Sequence, residues 1–145
     1  MKISQILQGK AINALYTVSS DQTVLDALKL MAEKNIGAVL VVDAGQLTGI
    51  FSERDYARKV ILKDRSSGDT RIGEVMTSQV ITIEPDQRIE ECMVIMSDKH
   101  IRHLPVVKQG DLLGIISIND VVSAIIRDQK TRIDSLESYI SGSPY

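Results

Sequence analysis

Apolar and polar positions change period along the chain. Ile3, Ile6 and Leu7 recur at helical spacing and predict a short amphipathic turn or helix over residues 3–9, ending near Gly9. Leu15 to Val18 reads as a short extended segment. Ser20-Asp21-Gln22-Thr23 then has the make-up of a helix start, with Asp21 the expected N-cap, and Val24, Leu28, Met31 and Ala32 follow at helical spacing. Asn35 and Gly37 suit the helix end, where left-handed backbone is common. Ala38 to Val42 is an unbroken apolar run of strand length, the mark of a buried strand. Asp43-Ala44-Gly45-Gln46 predicts a tight turn, Leu47 to Phe51 the returning strand, and Ser52 a helix start running to about Leu62.

The pattern then begins again. Adding 65 to Thr17 gives Thr82, and the frame holds without a gap to Ile61 and Ile126, with about a third of positions identical. Asp21/Asp86, Met31/Met96, Ile36/Ile101, Gly45/Gly110, Gly49/Gly114, Ser52/Ser117 and Asp55/Asp120 are among the matched pairs. The leading segment recurs too, since Ile3-Ser-Gln-Ile-Leu7 matches Ile72-Gly-Glu-Val-Met76. The chain is therefore an internal repeat of a β-α-β-β-α unit, with residues 1–65 the first repeat, 66–127 the second and 128–145 a C-terminal helix and tail. Residues 63–71 are polar and read as the connecting loop. Pro85 is tolerated near a helix start, and Pro105 predicts an edge position or a strand end. Beyond Ile126 a charged helix carries Ile133, Leu136 and Ile140 on one face, with Gly142 and Pro144 ending it. A unit of this size has little interior of its own, so the expected fold is α/β (α+β), two units packed about a pseudo-two-fold axis with two related clefts between them.

Composition narrows the functional classes. A formal net charge of −2 argues against a nucleic-acid partner. Cys92 is the single cysteine and lies on an apolar helical face, so it is expected to be a small buried hydrophobe. His100, His103 and Cys92 have no further ligand at a usual metal spacing. No apolar run is long enough for a membrane span, and the N-terminus has no secretory apolar region, so a cytoplasmic protein is expected.

The candidate chemistry lies where each repeat's last strand meets a helix, Gly49-Ile-Phe-Ser52-Glu-Arg-Asp55 and Gly114-Ile-Ile-Ser117-Ile-Asn-Asp120. Such a corner can hold a small anion or a sugar. The same Ser-x-x-Asp pattern is also a capping box that needs no ligand, and a duplicated fold duplicates its caps, so both readings stand on the residues alone.

The doubled β-α-β-β-α order resembles a pair of cystathionine-β-synthase-type (CBS) domains. So do Val75-Met-Thr77, Ile101-Arg-His-Leu-Pro-Val-Val107 and Gly-x-x-Ser-x-x-Asp in register twice. The resemblance covers almost the whole chain. It implies a stand-alone sensing module without catalytic activity. Its clefts would take an adenosine-containing ligand (AMP, ADP, ATP, NAD or S-adenosylmethionine), and it would form a homodimer and act on an unidentified regulated protein. Asp55 and Asp120 would hold ribose hydroxyls, and Ser52 and Ser117 would lie near ribose and phosphate. A carboxylate suits a vicinal diol because it accepts from both hydroxyls. A helix N-terminus beside Ser52 suits phosphate, and Gly49 and Gly114 let a ligand approach the backbone.

The repeats differ in charge. Arg54, Arg58 and Lys59 of the first stand where the second has Asn119, Ser123 and Ala124, and Arg102 and His103 replace Gly37 and Ala38. Arg54, Arg58, Arg102 and His103 are read either as solvated surface or as phosphate contacts. Two unequal clefts are expected, with the one near Ser52, Arg54 and Asp55 the better phosphate site. A structural or dimerisation protein with vestigial clefts is the alternative. An enzyme ranks last, because no nucleophile–base pair, metal cluster or Gly-rich phosphate loop is present in the sequence.

Overall fold

The computed structural model describes residues 1–10 and 15–140. The elements are α1 (Ile3–Gly9), β1 (Thr17–Val18), α2 (Val24–Lys34), β2 (Ala38–Asp43), β3 (Gln46–Ser52), α3 (Glu53–Lys59) and α4 (Ile72–Val75). They continue as α5 (Ile89–Lys99), β4 (His103–Lys108), β5 (Asp111–Ser117) and α6 (Ile118–Ile140). β1 pairs parallel with β2, and β2 antiparallel with β3; β4 and β5 form the second antiparallel pair. The expected end of the last helix at Gly142 and Pro144 lies outside the described residues.

The repeat is obeyed in detail. Both hairpins close through two residues of positive φ, Ala44-Gly45 and Gln109-Gly110, the arrangement a right-twisted hairpin requires. Both shift register at the same place, Val41/Val42 and Val106/Val107. Asn35 and His100 end their helices in the left-handed region.

Three local differences have physical causes. The N-cap of α2 is Thr23, not Asp21: Thr23 and Asp26 exchange hydrogen bonds as a capping box, while residues 19–22 form a turn in which Gln22 N–H donates to the Ser19 carbonyl. The helix expected from Ser52 to Leu62 stops at Lys59. Val60 turns inward, residues Ile61–Lys63 form a 3₁₀ turn, and Arg65 N–H closes on the Val60 carbonyl. The third difference concerns Pro105. Leu40 N–H reaches the Tyr16 carbonyl (3.4 Å) and helps lay β1 along β2. Pro105 stands at the matching place without an N–H, and Ile83 makes only a bridge to Val106 there. The proline keeps its imino side away from β5, where a ladder donor is dispensable.

The two cores exchange their leading helices. Ile72 and Val75 of α4 are buried among Val18, Val24, Met31, Val41 and Phe51 of the first repeat. Ile3, Ile6 and Leu7 of α1 are buried among Ile83, Cys92, Met96, Leu104, Ile116 and Val121 of the second. Matching backbone bonds hold each crossing. Ile3 N–H donates to the Gln87 carbonyl and Ser4 N–H to Pro85, as Ile72 N–H donates to Gln22 and Gly73 N–H to Ser20. Each repeat thus buries apolar surface supplied from outside its own β-α-β-β-α unit, which answers the shortage of interior in so small a unit.

Candidate functional site

The hairpins and helix ends of the two repeats face each other across a cavity of about 890 Å³. Matched pairs line it from opposite sides: Asn35 and His100, Ile36 and Ile101, Ser52 and Ser117, Arg54 and Asn119. A smaller hollow lies between the hairpin ends, lined by Val42 with Val107, Gly45 with Gly110 and Leu47 with Leu112. Both spaces straddle the pseudo-two-fold relation. Residues of both strand-to-helix corners, 52–55 and 117–119, contribute to the wall of the larger cavity.

Ser52, Arg54, Asp55, Arg102, His103 and Ser117 line this cavity together. Gly49, Arg58, Gly114 and Asp120 do not line it. Arg58 is exposed in the last turn of α3, and Gly114 is buried in β5. Gly49 permits a close approach, but by the chain itself. A Cβ there would lie 2.5 Å from Met76 Sδ and 3.0 Å from the Thr77 carbonyl oxygen.

Asp55 is the most heavily bonded of these groups. It is buried, accepts from Ser52 N–H (3.0 Å) and Ser52 Oγ (3.1 Å) on Oδ2, and from Thr77 Oγ1 (3.1 Å) on Oδ1. Lys59 Nζ lies 3.0 Å from Oδ1, one turn along the same helix. The capping box is therefore formed as drawn from the sequence, and two first-turn donors are engaged within the chain. Asp55 N–H donates to Ser52 Oγ and Glu53 N–H to the Gly37 carbonyl. The cationic side chains lining the cavity are those of Arg54 and Arg102.

The second corner repeats the cap, with Ser117 N–H donating to Asp120 Oδ2 (2.9 Å) and Asp120 N–H to Ser117 Oγ (3.2 Å). Its cation differs. Lys10 Nζ sits 3.1 Å from Asp120 Oδ2 and donates to the Ile115 carbonyl at 2.8 Å. Arg54 crosses between repeats, donating from its guanidinium to the His100 carbonyl. His103 starts β4 opposite Ser117, and its ring lies over Gly37. Burial holds its imidazole below the usual range, opposed by Asp120 and reinforced by Arg102 and Lys10.

Leu28, Met31, Ile36, Ile81, Ile101 and Pro105 give the cavity an apolar wall. Its size and its few convergent polar groups are those of small-molecule sites, which run from about 300 to 1,000 Å³. Sequence reasoning did not name Thr77, Gln79, Lys10 or Lys59 as site residues. Thr77 was signalled by the Val75-Met-Thr77 motif; the lysines carry no local signal. Cys92 is fully buried, and burial pushes its thiol up to about 11, far from a reactive thiolate. Among the described residues no three metal-ligating side chains come together, and no helix is long and apolar enough to cross a membrane.

The family model of the CBS domain matches residues 10–62 and 72–127. The mitochondrial CBS domain-containing protein CBSX3 of Arabidopsis thaliana is 38% identical over 97% of this chain and 72% of its own length. A CBS-domain protein structure from Burkholderia ambifaria MC40-6 superposes with a TM-score of 0.86 at 50% identity, covering 89% of this chain and 96% of that one. The CBS domain pair of MJ0100, solved with 5′-methylthioadenosine and S-adenosyl-L-methionine, superposes with a TM-score of 0.76 at 27% identity, over 89% of this chain and 98% of its own. Two family matches in the register of the two repeats, each with its Gly-x-x-Ser-x-x-Asp corner on the shared cavity wall or directly behind it, lead to one conclusion: this chain belongs to the CBS domain family, as a CBS pair.

Proposed function

We propose that this CBS pair is a regulatory module that binds an adenosine-containing nucleotide (AMP, ADP, ATP or NAD) between its repeats and acts by binding rather than turnover. The observation that carries the reading is the meeting, in one cavity, of an apolar wall, the Asp55 carboxylate and the guanidinium groups of Arg54 and Arg102. An apolar wall takes a purine face, a carboxylate takes the ribose diol, and a guanidinium fork takes phosphate. The related MJ0100 pair holds adenosine compounds, which supports the same ligand class.

Arg54 already bridges the repeats through the His100 carbonyl. A phosphate that draws Arg54 away exchanges an inter-repeat bond for a ligand bond and shifts how the repeats sit. Such a shift requires different affinity for the two arrangements, and a regulated partner would read it. A cytoplasmic location is part of this proposal, with the plant relative named as mitochondrial for comparison.

A homodimer is also part of it. Val122, Ile126, Ile133, Leu136 and Ile140 of α6 form a stripe of exposed apolar side chains, and we assign it to a second copy of the chain.

One observation favours the structural alternative: both motif aspartates are satisfied as caps without a ligand. Thermal-shift measurements with AMP, ATP, NAD and S-adenosylmethionine separate the two. A ligand at 100 times its Kd stabilises by roughly 2.7 kcal/mol, and roughly 5–10 °C follows for a chain of this size. The structural alternative predicts no shift with any of them.

A further inference from the structure

The two motif aspartates are chemically alike but differently held. Asp55 lines the central cavity, and Asp120 does not, although its side chain keeps 23% of its exposure. The difference lies in the cation. Asp55 is paired with Lys59, whose side chain is 43% exposed. Lys59 can swing into water while Asp55, itself only 9% exposed, keeps the Ser52 N–H, Ser52 Oγ and Thr77 Oγ1 as donors. Thr77, the other donor to Asp55 Oδ1, is a neutral hydroxyl that a ligand hydroxyl can replace like for like.

At the second corner the position matching Lys59 is Ala124, and no cation is available from that helix turn. Lys10, at the end of α1, fills the role from 110 positions away in sequence. Its ammonium is fixed at two points, Asp120 Oδ2 at 3.1 Å and the Ile115 carbonyl at 2.8 Å, and its side chain is 20% exposed. The residue matching Lys10 in the frame that aligns Ile3 with Ile72 is Gln79, which is neutral and lines the cavity. Displacing Lys10 leaves the half-buried Asp120 carboxylate with the Ser117 N–H of its cap and without a cation, and takes the ammonium from the Ile115 carbonyl as well.

We propose that Lys10 is a built-in occupant of the second half-site. It closes Asp120 to a ribose diol and makes nucleotide binding one-sided, with the diol at Asp55. This inference rests on the nucleotide reading above. It names the residue that sets the number of sites, which the arginine pattern alone does not.

The test is calorimetric titration of the full chain with AMP, ATP and NAD, each in turn, for wild type, Lys10→Gln and Lys10→Arg. Lys10→Gln gives the second corner the side chain of Gln79. The expected result is one nucleotide per chain for wild type and Lys10→Arg, and two for Lys10→Gln. The Lys10→Arg arm separates loss of the cation from a general loosening around α1. Two sites in wild type overturn the inference even if Lys10→Gln fails to fold. One site in wild type and in Lys10→Gln overturns it while the nucleotide reading stands. Binding to none of the proteins removes the nucleotide reading and the inference with it.

Discussion

Thr77 donates its hydroxyl to Asp55 Oδ1 across 3.1 Å, and so ties the segment entering the second repeat to the helix that closes the first. A backbone pair reinforces the tie: Ile50 N–H donates to the Thr77 carbonyl and Thr77 N–H to the Ile50 carbonyl, both at 2.9 Å. Asp55 is thus at once a cap, an inter-repeat anchor and the carboxylate on the cavity wall.

Asp55→Asn separates those roles. The amide keeps one acceptor for Ser52 N–H and loses the charge facing Lys59, so a stability loss of about 1 kcal/mol is expected, read by urea denaturation. A hydrogen bond to a charged group is worth about 1.5–3 kcal/mol, so nucleotide affinity is expected to fall roughly tenfold to a hundredfold, read by calorimetry. A stability loss with unchanged affinity would assign Asp55 to capping alone.

Gly49→Ala is predicted to be destabilising, through the segment that carries Thr77 onto the cavity wall. Its Cβ would press on Met76 Sδ at 2.5 Å and on a backbone oxygen of Thr77 at 3.0 Å. Overpacking of this kind costs about 1–3 kcal/mol. Thermal unfolding checks the loss, and an unchanged Tm would mean that the Met76–Thr77 segment moves freely.

The architecture was legible in the sequence to the extent that it is local or periodic. The ungapped offset of 65 marked the two hairpins, Asn35 marked a left-handed helix end, and its apolar helical face marked Cys92 as buried. Ile3, Ile6 and Leu7 declared themselves apolar, but periodicity says only that a face is buried and not against what. Their exchange into the second core, and that of Ile72 and Val75 into the first, is a long-range packing event with no local mark. Lys10 is the clearest case of this kind. A lysine beside Gly9 reads as surface, and its pairing with Asp120 depends on α1 crossing to the other repeat. Arg58 shows the converse: it shares a helix face with Arg54 but lies one turn further along α3, where it is exposed and outside the cavity lining.

His103 predicts a pH dependence. Its ordinary value is 6.5, and burial lowers it in the folded chain. Asp120 opposes that shift, while Arg102 and Lys10 add to it. The unfolded state therefore binds more protons between the lowered value and 6.5, so stability is full above that window and falls as the pH drops through it. Urea midpoints measured from pH 7.5 down to pH 5, about the range in which a histidine titrates, are expected to decline more steeply for wild type than for His103→Gln. Equal slopes would mean that His103 is protonated in the folded chain as readily as in the unfolded one.

The stripe on α6 predicts a dimer that mutation can dissolve. Ile133 and Leu136 are 55% and 61% exposed, so Ile133→Glu with Leu136→Glu costs the isolated chain little. Light scattering is expected to report a dimer for wild type and a monomer for the double variant, with similar circular dichroism. A wild-type monomer at high concentration would leave the stripe without a second copy.

The central claim, that an adenosine nucleotide occupies the space between the repeats, is tested most directly by mapping amide chemical-shift changes on titration with AMP. The account predicts changes concentrated at Ser52, Arg54, Asp55, Thr77, Arg102 and His103, saturating together. Saturable changes confined to surfaces away from those residues, or no saturable change with AMP, ATP or NAD, would contradict it.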